Sequence, residues 1–108
     1  MNDTILSTTK KLLGLDEEYD VFDSDILIHI NTVITILNRI GVGPREGFVI
    51  DSNTTWSDYL NDESLFESVK TYIYLKVRKI FDPPQGGVSS SMDDIIRELE
   101  FTLQITAD

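Results

Sequence analysis

The stretch DSDILIHINTVITILNRI, residues 23–40, decides the fold. Its isoleucines, threonines and valine are residues that pleated strands favour, so composition alone argues for a strand. Spacing argues for a helix. Ile26, Ile30, Val33, Ile34, Leu37 and Ile40 recur three and four positions apart, which is helical periodicity rather than alternation. Asp23 or Ser24 opens the segment, Asp25 complements the dipole in its first turn, and Gly41 ends it. With Leu27 and Ile36 the apolar arc covers about half the circumference at roughly 100° per residue, the pattern of a central helix packed by several neighbours.

The next stretch, IGVGPREGFVI at 40–50, packs its glycines and a proline so closely that a phosphate-cradling loop has to be considered. Such a loop needs a strand before it and a helix after it, so that phosphate meets a helix N-terminus. Here a helix precedes, Gly47 falls one position late, and Pro44 lacks one of the N–H groups a cradle uses. No Gly-Lys-Ser/Thr follows. Gly41 is expected to be a helix C-cap and Gly43-Pro44 to redirect the chain. Phe48 and Ile50 anchor its return, and the whole forms a protruding joint with a short extended segment near 47–51. Residues 51–62, DSNTTWSDYLND, place oxygen side chains at several calcium-loop positions, but Trp56 stands where that loop requires glycine. A turn leading into a short helix, with Trp56, Tyr59 and Leu60 as a lid over the core, is the expected structure.

Asp62 to about Phe81 is expected to be the longest helix. Leu65, Phe66, Val69, Tyr72, Ile73, Val77 and Ile80 form its stripe, Glu63 and Glu67 lie at its start, and Lys70, Lys76, Arg78 and Lys79 towards its end. The cations read as a dipole complement on a solvated face in preference to a phosphate-contacting patch. Lys76 falls inside the apolar stripe and is expected to snorkel or to meet a carboxylate of another helix or subunit. Asp82-Pro83-Pro84 stops the helix. After a flexible loop, Ser90 or Ser91 caps a last helix whose face is Met92, Ile95, Ile96, Leu99 and Leu103; Phe101 and Ile105 lie nearly opposite. On the N-terminal side, Asp3 caps a short helix with Ile5, Leu6, Leu12 and Leu13 as its apolar contacts. Gly14 stops it, and the acidic connector Asp16–Asp20 follows. The fold class is all-α: one domain, residues 1–108, in a small bundle of four to five helices with an irregular Gly/Pro-rich loop.

Nineteen acidic residues against nine basic ones give a net charge of −10. That opposes nucleic-acid and anionic-membrane binding, which draw on Lys and Arg. The chain has no cysteine, no apolar run near the roughly 20 residues a bilayer requires, and a polar Met-Asn-Asp start unlike a signal peptide. A soluble protein folding in a cytoplasm is expected. The single histidine, His29, is expected to be buried and hydrogen-bonded on the flank of the second helix, and the carboxylates fall in connectors and helix starts. No catalytic, metal-binding or cofactor-binding residue is assigned, and an enzyme is not expected.

Five segments in order, LLGLDEEYDVFDSDILIHIN (12–31), IGVGPREGFVI (40–50), TWSDYL (55–60), YIYLKVRKIFDPP (72–84) and IIRELEFTL (95–103), make the chain resemble the small head–tail connector (adaptor or head-completion) proteins of tailed bacteriophages. The resemblance covers most of the chain. It implies a structural, DNA-packaging-associated virion protein without catalytic residues. Such a protein forms a homo-oligomeric ring, commonly of about twelve subunits, between the portal protein and the next neck or tail protein. The ring completes the head and extends the channel through which double-stranded DNA passes without sequence-specific binding, and no membrane is involved. The implied location is the neck at the portal vertex of the virion, with the host cytoplasm before assembly. Motif positions carried over as interface candidates are Gly41, Gly43, Pro44, Phe48, Lys76, Arg78, Phe81, Pro83 and Pro84; Phe101 and Ile105 join them as an apolar pair with no intrachain partner in a simple bundle, the mark of a contact with another chain or else of a frayed C-terminus. The alternative is a small acidic interaction module or DNA-mimic inhibitor, although no acidic stripe with phosphate-like spacing is visible.

Overall fold

The helical spacing of residues 23–40 is realised in the computed structural model, which describes residues 3–107. Its helices are α1 (Ile5–Leu12), α2 (Asp23–Arg39), α3 (Trp56–Tyr59), α4 (Phe66–Phe81) and α5 (Gly87–Ala107), with a 3-10 turn at Glu63–Leu65. Among the described residues there is no strand, and the one β-type contact is an isolated bridge between Thr4 and Thr55. The extended segment expected near 47–51 is therefore irregular chain without a strand partner. The helix cap expected at Asp3 belongs to Thr4, whose hydroxyl oxygen accepts from the Ser7 N–H.

Glycines close α1 and α2 in the same way. Gly41 (φ +98°) donates to the Asn38 carbonyl while the Val42 N–H reaches back to Leu37. This is the paired bonding of a Schellman end, sealed by burial of Val42 beside Leu37. Gly14 repeats it with Lys11 and Lys10 as acceptors.

The centre of the bundle is α4, not α2: α4 packs against α1, α2 and α5. Its Val69, Tyr72, Ile73, Leu75 and Val77 are all buried, across about half of the helix's circumference. Against them stand Ile5 and Leu6 of α1 and Ile26, Ile30, Val33, Ile34 and Leu37 of α2. Met92, Ile96 and Leu103 of α5 complete the same core. Helices α4 and α5 run antiparallel. The Tyr72 hydroxyl donates to Glu100 Oε2 at 2.6 Å, and Lys79 Nζ pairs with Asp93 at 2.8 Å. Burial and then the Glu100 carboxylate push the Tyr72 hydroxyl's pKa well above the usual tyrosine range.

The longest helix is α5, at 21 residues, and it starts at Gly87, before the expected Ser90 or Ser91. The Ser89 N–H bonds the Gly86 carbonyl, and Lys79 Nζ reaches Ser89 Oγ at 2.6 Å, so the first turn is fixed by α4. Three expected core residues are about half exposed: Leu12, Ile80 and Ile95. Ile95 lies at the edge of the face that α5 turns to α4.

One charged side chain is buried. Lys10 of α1 is 2% exposed; its ammonium donates to the Glu17 carbonyl at 2.8 Å and lies 2.9 Å from Asp23 Oδ1. It ties α1 to the acidic connector and to the start of α2. A buried amine held by a carboxylate and a carbonyl is not left without partners, which would be costly away from water.

Candidate assembly interface

The 41–50 loop is tied back along α2, although Val49 is 80% exposed. Two asparagines seven residues apart on α2 hold it along the helix. Asn31 pairs with both backbone groups of Ile50, accepting from its N–H at 2.8 Å and donating to its carbonyl at 3.2 Å, and Asn38 donates to the Pro44 carbonyl at 2.6 Å. The asparagine amide thus replaces the strand partner that Ile50 lacks. Val42 and Ile50 are buried, and Phe48 stacks on Tyr59 with ring centroids 5.0 Å apart. Gly43 (φ +88°) presses on the same ring: a Cβ there would sit 2.7 Å from Tyr59 Cε1. Of the loop's interface candidates, Gly41 and Gly43 are exposed in backbone, Pro44 is half-buried, and Phe48 is engaged inside the chain.

Below the loop, Thr55 and Asp58 form a capping box at the start of α3, and the Trp56 indole donates to Thr8 at 3.0 Å. This is the expected lid. Its aspartates serve turns and caps. Hydrogen bonds from Asn53 and then Thr54 hold the Asp51 carboxyl below the usual range, and Ser64 does the same for Asp62. Among the described residues no cluster of three His, Asp or Glu side chains is gathered to hold a metal ion. His29 is half-buried rather than buried.

All four cations of α4 have intrachain partners. Lys70 lies 3.7 Å from Glu67 and over the Trp56 ring, Lys76 lies 5.9 Å from the Tyr72 ring centroid, Arg78 donates to the Tyr74 hydroxyl, and Lys79 pairs with Asp93. Lys76 thus answers its oddity in the apolar stripe by stacking on an aromatic face. Phe81 packs edge-on against Phe22 of the α1–α2 connector, at 5.1 Å. Past it, Pro83 is exposed and Pro84 half-buried in the turn to α5.

The outer face of α5 differs from all of these. Phe101 is 67% and Ile105 58% exposed, one turn apart, with Glu98 on the same stripe. The structure does not bring the candidate residues together: the loop lies along α2, the cations and Phe81 are occupied within the chain, and only the α5 pair is large, apolar and free. The asparagine staples and the buried Lys10 escaped sequence reasoning. The one available signal was the seven-residue spacing of Asn31 and Asn38 before a loop that must turn back.

No helix among the described residues is long and apolar enough to cross a membrane. Comparisons with curated proteins and with solved structures gave no match. The sequence model of one family, described as phage connector protein, matches residues 5–108, from the first turn of α1 through the whole of α5. The match spans every helix of the bundle, and the chain belongs to the phage connector protein family.

Proposed function

We propose that the chain is a single-domain structural subunit that assembles as a ring between the portal and the next neck or tail protein. There it completes the head and extends the DNA channel. The observation that carries this reading is the second apolar face of α5. Met92, Ile96 and Leu103 are buried against the bundle, while Phe101 and Ile105 stand on the far side of the same helix with nothing over them. Large exposed apolar pairs on a small acidic protein mark contact surfaces. The electrostatics agree with a channel. A net charge of −10, with Lys70 and Lys79 of α4 paired to Glu67 and Asp93, offers passing phosphates little to hold. The subunit waits in the host cytoplasm and joins the virion at the portal vertex.

Negative-stain imaging of the chain mixed with its purified portal tests the reading. Rings seated on the portal are expected for the natural sequence. Phe101→Asp is expected to abolish them with an unchanged melting curve, because the side chain it replaces is exposed. A natural chain that stays monomeric at high concentration and with the portal would refute the proposal.

A further inference from the structure

We infer that the cleft between α1 and α4 of one copy receives the outer face of α5 of the next, joining subunits head to tail; the inference rests on the ring reading above. The cleft, of about 610 Å³, is lined by Lys11, Leu12 and Leu15 on one side and Glu67, Lys70 and Thr71 on the other. Leu12 is 46% exposed there, so the cleft has an apolar wall open to solvent. Lys70 already contacts Glu67 and the Trp56 ring, whereas Lys11 has no ion-pair partner among the described residues.

The outer face of α5 is its complement. Glu98, Phe101 and Ile105 follow one another at three- and four-residue spacing and form a single ridge. Glu98 has no cation partner among the described residues, and Phe101 projects most. Phe101 is ~160° around the helix from Leu103, at about 100° per residue, so the ridge cannot reach the cleft of its own chain while Leu103 stays in the core. A second copy can bring it there. The aromatic ring then meets Leu12 and Leu15, and Glu98 meets Lys11. The unpaired cation lies on the concave surface and the unpaired anion on the convex one. Asp3 and Glu17 also line the cleft, so the contact rests on its apolar wall and on this one charge pair, both supplied by the chain itself. Because the two surfaces differ, the contact is heterologous: each copy offers one surface and fills the other, as a ring requires.

The natural chain has no cysteine, which permits a direct test. Leu12→Cys and Phe101→Cys are made separately, mixed, assembled on the portal and oxidised. A mixed disulfide dimer is expected from the mixture and no dimer from either variant alone. Self-crosslinking of Phe101→Cys would overturn the inference in favour of a symmetric contact. Intact rings without the mixed disulfide would overturn the cleft assignment and leave the ring reading standing, and absence of rings from the natural chain would remove both. As a second measurement, Lys11→Glu is expected to weaken assembly by ~10-fold through like-charge opposition to Glu98. Adding Glu98→Lys to the same chain is expected to restore it. Failure of that restoration, with both variants folded, would count against the pairing.

Discussion

Residues 41–60 and residues 87–107 are segments of similar length that treat their apolar side chains in opposite ways. The first has little regular structure, yet Val42, Ile50, Trp56, Tyr59 and Leu60 are all buried. The second is one uninterrupted helix, yet Val88, Ile95, Phe101 and Ile105 stand in solvent. Regularity satisfies the backbone but says nothing of what covers the side chains. A helix whose main neighbour is α4 keeps most of its circumference free. A loop whose backbone is met at Pro44 and Ile50 by Asn38 and Asn31 presses most of its apolar residues inward and leaves Val49 in solvent.

The contrast can be broken at several points. Trp56→Ala should have the largest effect, about 3–5 kcal/mol of lost stability in chemical denaturation, because it removes a buried indole and leaves a cavity. Gly43→Ala comes next, at about 2–3 kcal/mol, since it combines a left-handed backbone with contact on the Tyr59 ring. Asn31→Ala should cost about 1–3 kcal/mol by leaving both backbone groups of Ile50 without a partner. Amide exchange at Ile50 should rise correspondingly.

Tyr59→Phe should go the other way. The Tyr59 hydroxyl is buried without a hydrogen-bond partner among the described residues, and burial pushes its pKa well above the usual range. Its removal should stabilise the fold by about 1 kcal/mol. The pH dependence has a definite sign. In the unfolded chain tyrosines ionise from about pH 10, while folded Tyr59 and Tyr72 keep their protons. Stability is therefore intact below that pH and falls as pH rises above it, and the variant should lose less across that window. Phe101→Asp should change stability least, by no more than about 0.5 kcal/mol. If it unfolded the chain, the outer face of α5 would not be spare surface at all.

The helices were legible because their periodicity is local: Ile26 to Ile40 reads as a helix whatever lies beside it. The lid at Trp56 was legible for a similar reason, being announced by Thr55, Asp58 and the surrounding turn residues. The hub was not. Helix α4 carries Lys70, Lys76, Arg78 and Lys79 among its buried residues and so reads as more polar than α2. Only in three dimensions do those cations fold back onto Glu67, Tyr72, Tyr74 and Asp93. The start of α5 was hidden by Gly86-Gly87, which reads as a breaker until Lys79 is seen to hold Ser89. Of the assembly surface, Phe101 and Ile105 were legible as an apolar pair on the wrong side of a helix. The loop's tethering to α2 was not legible, because side-chain amides holding a backbone leave no periodic trace.

Lys10 fixes the path of the acidic connector. Its ammonium, buried under α1, grips the Glu17 carbonyl and Asp23, and the connector between them presents Tyr19 and Val21 to solvent. Those side chains stand on a segment whose ends are fixed before any encounter. A segment held at both ends has less ordering entropy to lose than a slack tether would on any contact made there.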